Sequence, residues 1–224
     1  MAAGGIKMYS IRELFRRSLG GECPLCSWPA VAGDLCARCE AAVRCVSSSG
    51  QERSGCTVVA ATYYAAPADR LMRAFKEGGQ LNHAGLFARL LWDAMRSHQP
   101  VLPGLVALVP IPSDLRAAQR RGFNPAGEIA VELSRLSRLP LRRLWLTRTR
   151  SGESQKSLDR VARRRSVSDL YRCDITLPDV WIGVVDDVTT TGSTLEAAAC
   201  ALQQAGARGI VGLVGAKTPA HSRA

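Results

Sequence analysis

The sequence predicts an α/β fold, a mostly parallel sheet flanked by helices, with a small cysteine-rich domain at its N-terminal end. Three observations lead there. From Cys56 onward, β-rich runs alternate with helical runs, the order that builds βαβ units. Four of the eight cysteines fall in two close pairs ahead of residue 45. A length of 224 residues with 46% hydrophobic content suits one medium domain and an appendage, and excludes global disorder.

The elements follow in chain order. Residues 1–45 are expected to hold an N-terminal helix and a metal-ribbon-like domain. Ile11, Leu14, Phe15 and Leu19 lie at helical spacing, which fits a short helix docked on the body or, alternatively, a membrane-surface anchor. Arg12, Glu13, Arg16 and Arg17 stand where a secretory signal would need an apolar run. Residues 46–55 are polar and rich in Ser and Gly, the composition of a linker. The α/β domain is expected over residues 56–220. Its strands are Thr57–Tyr64, Leu105–Ile111, Trp181–Val185 and Gly209–Ala216. Its helices are Asp69–Lys76, His83–Arg96, Asn124–Arg138 and Ser193–Ala205. Between Thr147 and Arg165 neither period holds; a long polar loop of this kind is a candidate lid over a ligand, or else plain surface loop.

The charge balance narrows the partners. Lys and Arg number 30 against 19 acidic residues; 15 of the cations, with five acids, lie from Arg116 to Arg172. Such a concentration favours phosphate-bearing ligands, small or polymeric, although a solvated basic surface has the same composition. No apolar run approaches the roughly 18–20 residues of a membrane span, so membrane insertion is not expected and a cytoplasmic location is.

One loop carries specific chemistry. Trp181-Ile182-Gly183-Val184-Val185 has the pattern of a buried parallel strand; Asp186-Asp187 follow, then Val188, Thr189, Thr190, Thr191, Gly192, Ser193 and Thr194 lead into a helix. Free backbone N–H groups at the strand end and the positive end of the helix dipole converge there. The hydroxyls add short donors, and Gly192 lets the backbone close around an oxyanion. This predicts a monophosphate cup, not a triphosphate P-loop, because the glycine-lysine pattern of that motif is missing. Two carboxylates beside an anion would repel it unless they accept from something else, and the vicinal hydroxyls of a ribose are such donors. A strand end with a helix N-cap needs only one residue of this kind.

The cysteine pairs Cys23-x2-Cys26 and Cys36-x2-Cys39 are separated by nine residues. Paired knuckles of this type place four thiolates at the corners of a tetrahedron, the arrangement of structural Zn²⁺, with an iron–sulfur cluster as the alternative. With all four ligands from protein, such a site serves folding, not catalysis. Cys45, Cys56, Cys173 and Cys200 are expected to be ordinary thiols. Among the histidines, His83 stands at a helix start from which it could reach the anion, but is expected at the surface.

The string Val184–Thr194 resembles the 5-phosphoribosyl 1-diphosphate (PRPP) signature of type I phosphoribosyltransferases. With Val109-Pro110-Ile111-Pro112, Gln119-Arg120-Arg121-Gly122-Phe123-Asn124 and the cysteine zone, the order along the chain resembles the ComF family of competence-related proteins, from Cys23 to about Gly215. The resemblance implies a type I phosphoribosyltransferase-like sheet with an N-terminal zinc ribbon. It implies PRPP with its ribose on Asp186 and Asp187 and its 5′-phosphate on Thr189–Thr194. Lys76, Gly78 and Gly79 would then face the diphosphate, although a helix C-cap accounts for the same residues. The lid residues Gln155, Leu158 and Arg160 match the family's mobile segment, and Arg163 or Arg164 would reach the diphosphate. Mg²⁺ on the PRPP oxygens, and transfer of the phosphoribosyl group with release of diphosphate, are implied with them; no general base is assigned. The other reading is a non-catalytic PRPP-responsive or single-stranded-DNA-binding module, working with DNA-uptake proteins.

Overall fold

The structure is a computed structural model that describes residues 20–44, 50–51, 56–98, 104–149 and 170–219. The chain divides into two compact units, Met1–Val43 and Arg44–Ala224. In the first, β1 (Gly20–Glu22) pairs antiparallel with β2 (Pro29–Val31), and α1 (Ala37–Val43) follows. Its buried apolar side chains are Cys23, Leu35 and Val43 among the described residues. A core that small does not sustain a fold without a staple. The predicted helix over Ile11–Leu19 lies outside the described residues.

In the second unit the order is β3 (Gly50–Gln51), β4 (Thr57–Tyr63), α2 (Ala68–Gly78), α3 (Asn82–His98) and β5 (Leu105–Pro110). Then come α4 (Leu115–Arg121), α5 (Pro125–Ser137), β6 (Thr147–Arg148) and β7 (Tyr171–Arg172). The unit closes with β8 (Trp181–Thr189), α6 (Ser193–Gln204) and β9 (Gly209–Lys217). The main sheet runs β3-β4-β9-β8-β5. Its four long strands are parallel, and β3 is an antiparallel edge piece. Helices α3 and α5 pack on one another and on β4 and β8, while α6 packs on β8 and β9. Val184, Val185, Val211 and Leu213 are fully buried, as alternating side chains must be when both faces are covered.

The fold is the predicted α/β class, with differences in detail. Gly50–Gln51, within the expected linker, pairs with Thr57 and Val58. Helix α4 was not expected, and β6 pairs with β7 across the expected loop. Strand β8 runs on past Val185 to Thr189 because β9 keeps pairing with it. His83 is not at the surface: it is 2% exposed, with Nδ1 3.3 Å from the Leu71 carbonyl oxygen, and burial pushes its pKa down.

The turn from α6 into β9 depends on one glycine. Gly206 has φ +103°, and a Cβ there would sit 2.4 Å from the Leu177 carbonyl oxygen, an atom of the backbone that cannot give way. Gly206→Ala is therefore expected to cost about 2–3 kcal/mol, read as a lower urea midpoint at unchanged slope. A wild-type midpoint would refute this account of the turn.

Candidate functional site

Strand β5 ends at Pro110 opposite Val185, and the Ile111 N–H donates to the Val185 carbonyl at 2.9 Å. Strand β8 continues beside β9, with Asp186 opposite Val214 and Thr189 opposite Lys217. The Asp pair thus lies one step beyond the end of its neighbour strand. A cleft of about 280 Å³ opens there, lined by Asp186, Asp187, Thr194, Lys76, Arg121 and Arg148, among others. Such a crevice, outside the carboxyl ends of parallel strands, is where α/β sheets take ligands.

The two carboxylates differ. Asp186 is 6% exposed, and its Oδ1 accepts the Asp187 N–H at 2.8 Å. Burial first, then the charge of Asp187, pushes its pKa well above the usual carboxylate range, against the pull of that N–H and of Lys76. Asp187 accepts the Val188 N–H at 2.7 Å and pairs with Lys76 Nζ at 2.9 Å. That pair ties the last turn of α2 to the end of β8.

The hydroxyl turn stands beside them. Thr190, Thr191 and Ser193 are exposed, whereas Thr189 is buried in β8. Gly192, at φ +81°, caps α6 in the left-handed region that glycine adopts freely. Thr191 Oγ1 lies 3.0 Å from Ser193 Oγ and accepts the Ser193 N–H at 3.4 Å. Hydroxyl groups therefore stand beside the positive end of a 12-residue helix, and Thr194 lines the cleft.

Lys76 also lines a second cavity of about 480 Å³, together with Gly78, Gly79, Arg120, Arg121 and Phe123. Gly79 (φ +63°) donates its N–H to the Ala74 carbonyl, so it is both the C-cap of α2 and a wall of this cavity. Arg163 and Arg164, with Gln155, Leu158 and Arg160, lie outside the described residues.

The structure adds residues from outside the loop Val184–Thr194. Arg121 and Arg148 line the cleft, and so does Tyr171, 4% exposed. Burial, reinforced by the charge of Asp186, pushes the Tyr171 pKa up to about 12, against the pull of Arg148. Asn124 stands at the N-cap position of α5 with Pro125 after it, yet its side chain makes no cap bond. Its Nδ2 donates to the Ile111 carbonyl at 2.9 Å and its Oδ1 accepts from Ser113 Oγ at 2.7 Å, which fixes the loop after β5.

In the first unit the Sγ atoms of Cys23, Cys26, Cys36 and Cys39 lie within 4.8 Å of one another. Cys26 Sγ is 3.6 Å from Cys36 Sγ. A tetrahedron with Zn–S of about 2.3 Å has edges of about 3.8 Å, so the spacing fits that ion. For the Cys23 thiol, burial raises the pKa, but N–H donors of Cys36, Leu25 and Cys26 outweigh it and hold the pKa at about 6. Cys39 is pushed up to about 12, chiefly by Cys26. A cation among the sulfurs would relieve that opposition, and the cluster can hold a metal such as zinc.

No family model matches the chain. It is 32% identical over 161 residues to competence protein F of Haemophilus influenzae, covering 69% of each chain. It is 30% identical over 193 residues to the DNA utilization protein YhgH of Escherichia coli, covering 84% of this chain and 80% of that one. With competence protein ComFC of Bacillus subtilis the identity is 30% over 198 residues, 88% of this chain and 78% of the relative. On this similarity across most of its length, the chain belongs to the ComF family of competence-related proteins.

Proposed function

We propose that this protein binds PRPP and transfers its phosphoribosyl group with release of diphosphate. One observation carries the reading: a carboxylate pair in the parallel strand β8 just past the end of its neighbour β5, ahead of a hydroxyl turn that opens a helix. Asp186 and Asp187 accept from the ribose hydroxyls; Thr190, Thr191, Ser193 and Thr194, with the α6 N-terminus, receive the 5′-phosphate. Lys76 exchanges its bond to Asp187 for the diphosphate, where negative charge builds as the bond to ribose C1 breaks. The carboxylates and the ligand's own phosphates are the donor types that Mg²⁺ takes, so the residues fit that ion as a companion of the diphosphate. In this reading residues 56–220 form the transferase-like domain, joined through residues 46–55 to the ribbon of residues 1–45.

The test is calorimetric titration of PRPP with Mg²⁺ into the wild type and into Asp186→Asn, Asp187→Asn. Hydrogen bonds to charged groups are worth about 1.5–3 kcal/mol each, so the double variant is expected to bind at least about a hundredfold more weakly. Equal affinity in both proteins would overturn the reading. Diphosphate release in the presence of nucleobases or amines then identifies an acceptor.

A second reading is favoured by the names of the relatives, which speak of competence and DNA use, and by the cations between Arg116 and Arg172. Here the protein is a PRPP-responsive module that holds single-stranded DNA together with uptake proteins. It requires retention of a labelled single-stranded oligonucleotide that weakens steeply with salt. Lack of retention at low ionic strength would remove it.

A further inference from the structure

The outer margin of the sheet, along β5, carries a surface that the Asp cleft does not use. From Leu133 to Thr149 the chain holds five arginines and no acid. Helix α5 ends within this stretch, and the chain then follows β5. The Leu108 N–H donates to the Pro140 carbonyl and the Arg142 N–H to the Leu108 carbonyl, both at 2.8 Å, with Leu141 opposite Leu108. The strand edge is thereby satisfied at Leu108, and Pro140 has no N–H to offer a further strand. What the margin presents to a partner is its side chains.

These are of two kinds. Of the seven large apolar residues exposed among the described ones, Val106, Leu136 and Leu144 lie here, Leu144 at 86%. Between Leu136 and Leu144 stand Arg138, Arg142 and Arg143, all exposed and none in an ion pair among the described residues. Arg135, by contrast, is paired with Glu132. The Arg142 guanidinium lies 5.6 Å from the centroid of the Trp145 ring, a contact that engages the plane of the group and leaves its N–H edge for a carboxylate. Arg138 caps α5 at φ +61°, in the left-handed region that glycine adopts without strain. An arginine kept at that position points to a use of its side chain beyond the turn.

The pattern selects the partner. Guanidinium forks match carboxylates in pairs, and exposed leucines among them match apolar side chains on the same partner. Single-stranded nucleic acid is met by exposed aromatic faces, whereas the apolar groups here are aliphatic and Trp145 is half-buried against Arg142. A bilayer surface needs a broad apolar face, and this one is interrupted by the arginines. A second copy would set arginines against arginines, in a chain of net charge +11. None of these residues lines the cleft of the Asp pair.

We propose that Val106, Leu136, Arg138, Arg142, Arg143 and Leu144 form a docking surface for an acidic protein segment whose carboxylates alternate with apolar side chains.

The probes are two labelled synthetic peptides, one alternating aspartate with leucine and one alternating aspartate with serine, titrated into the full-length protein. The variants are Leu136→Ser, Leu144→Ser for the apolar part and Arg138→Gln, Arg142→Gln, Arg143→Gln for the charge. Arg70→Gln, Arg73→Gln, Arg96→Gln, on α2 and α3, is the control of equal charge loss, and thermal melts establish that each variant folds. The wild type and the control are expected to bind the leucine peptide alike, at least about tenfold more tightly than the serine peptide. Each margin variant is expected to bind it at least about tenfold more weakly, a loss of about 1.4 kcal/mol. No binding by the wild type at low ionic strength, equal binding of the two peptides, or undiminished binding in either margin variant would overturn the site. A single-stranded oligonucleotide or anionic phosphatidylglycerol vesicles run in parallel should be indifferent to the leucine substitutions. A matching loss there reassigns the surface to nucleic acid or lipid and overturns the proposal. So does a wild-type dimer in sedimentation that those substitutions disperse.

Discussion

Stripping metal from the full-length protein with a strong chelator is expected to unfold residues 20–43 and leave the sheet folded. The first unit buries only Cys23, Leu35 and Val43 as apolar side chains among its described residues. Domains of about 40 residues or fewer rarely fold without a staple. Structural zinc supplies about 10–16 kcal/mol of apparent binding free energy in comparable peptides. The thiols also oppose one another: Cys23 ionises readily, with its pKa held at about 6, whereas Cys39 is pushed up to about 12, chiefly by Cys26. Without a cation the four sulfurs cannot all be thiolates at neutral pH. The measurement is peptide-resolved hydrogen exchange before and after chelation, with elemental analysis of the released ion. Amides of 20–43 should lose protection while β4, β8 and β9 keep theirs. Cys26→Ser, Cys39→Ser should reproduce the chelated pattern. Unchanged protection in residues 20–43 would mean that the ribbon folds without metal, and iron in place of zinc would reassign the ion.

The parallel strands were legible because they are buried on both faces, so Ile182–Val185 and Ile210–Val214 had to be continuous apolar runs. The cysteine cluster was legible because two Cys-x2-Cys knuckles bring their sulfurs together locally, whatever the rest of the chain does. Helix α4 was hidden for the opposite reason: none of its residues is buried, so it carries no apolar stripe. Its signals were local ones, Asp114 accepting the Ala117 N–H at one end and Gly122 in the left-handed region at the other. The extension of β8 through the Asp pair to Thr189 comes from pairing with β9, which no stretch of β8 encodes by itself. His83 went inside for a similar reason, since α2 supplies the carbonyl it approaches. In the site, the Asp pair and the hydroxyl turn were contiguous and hence readable. Arg121, Arg148 and Tyr171 come from three other segments and meet the pair only in the folded sheet. Arg121 stood inside a recognised motif, yet nothing in the motif says which cavity it lines.

Asp186→Asn is expected to make the folded protein more stable at neutral pH and, on the proposed reading, to weaken PRPP binding. An unfolded aspartate titrates near pH 3.9, and in the fold burial raises the Asp186 value well above that. Between those two values the folded chain keeps a proton that the unfolded chain has released. Stability therefore falls as the pH climbs through that window, with its full contribution present only on the acid side. Asparagine at this position cannot ionise, and its carbonyl oxygen can still accept the Asp187 N–H that Oδ1 accepts at 2.8 Å. The variant should lose the slope and gain about 1–2 kcal/mol over wild type at pH 7, the size common where a binding group is held at a cost to the fold. Thermal melts across the pH range check this: the two proteins should converge near pH 3–4 and separate steadily above it, the variant with the higher Tm. A variant less stable than wild type at pH 7 would mean that the carboxylate is held by partners strong enough to offset its burial. A variant that is more stable and still binds PRPP with full affinity would mean that Asp186 is not an acceptor for the sugar.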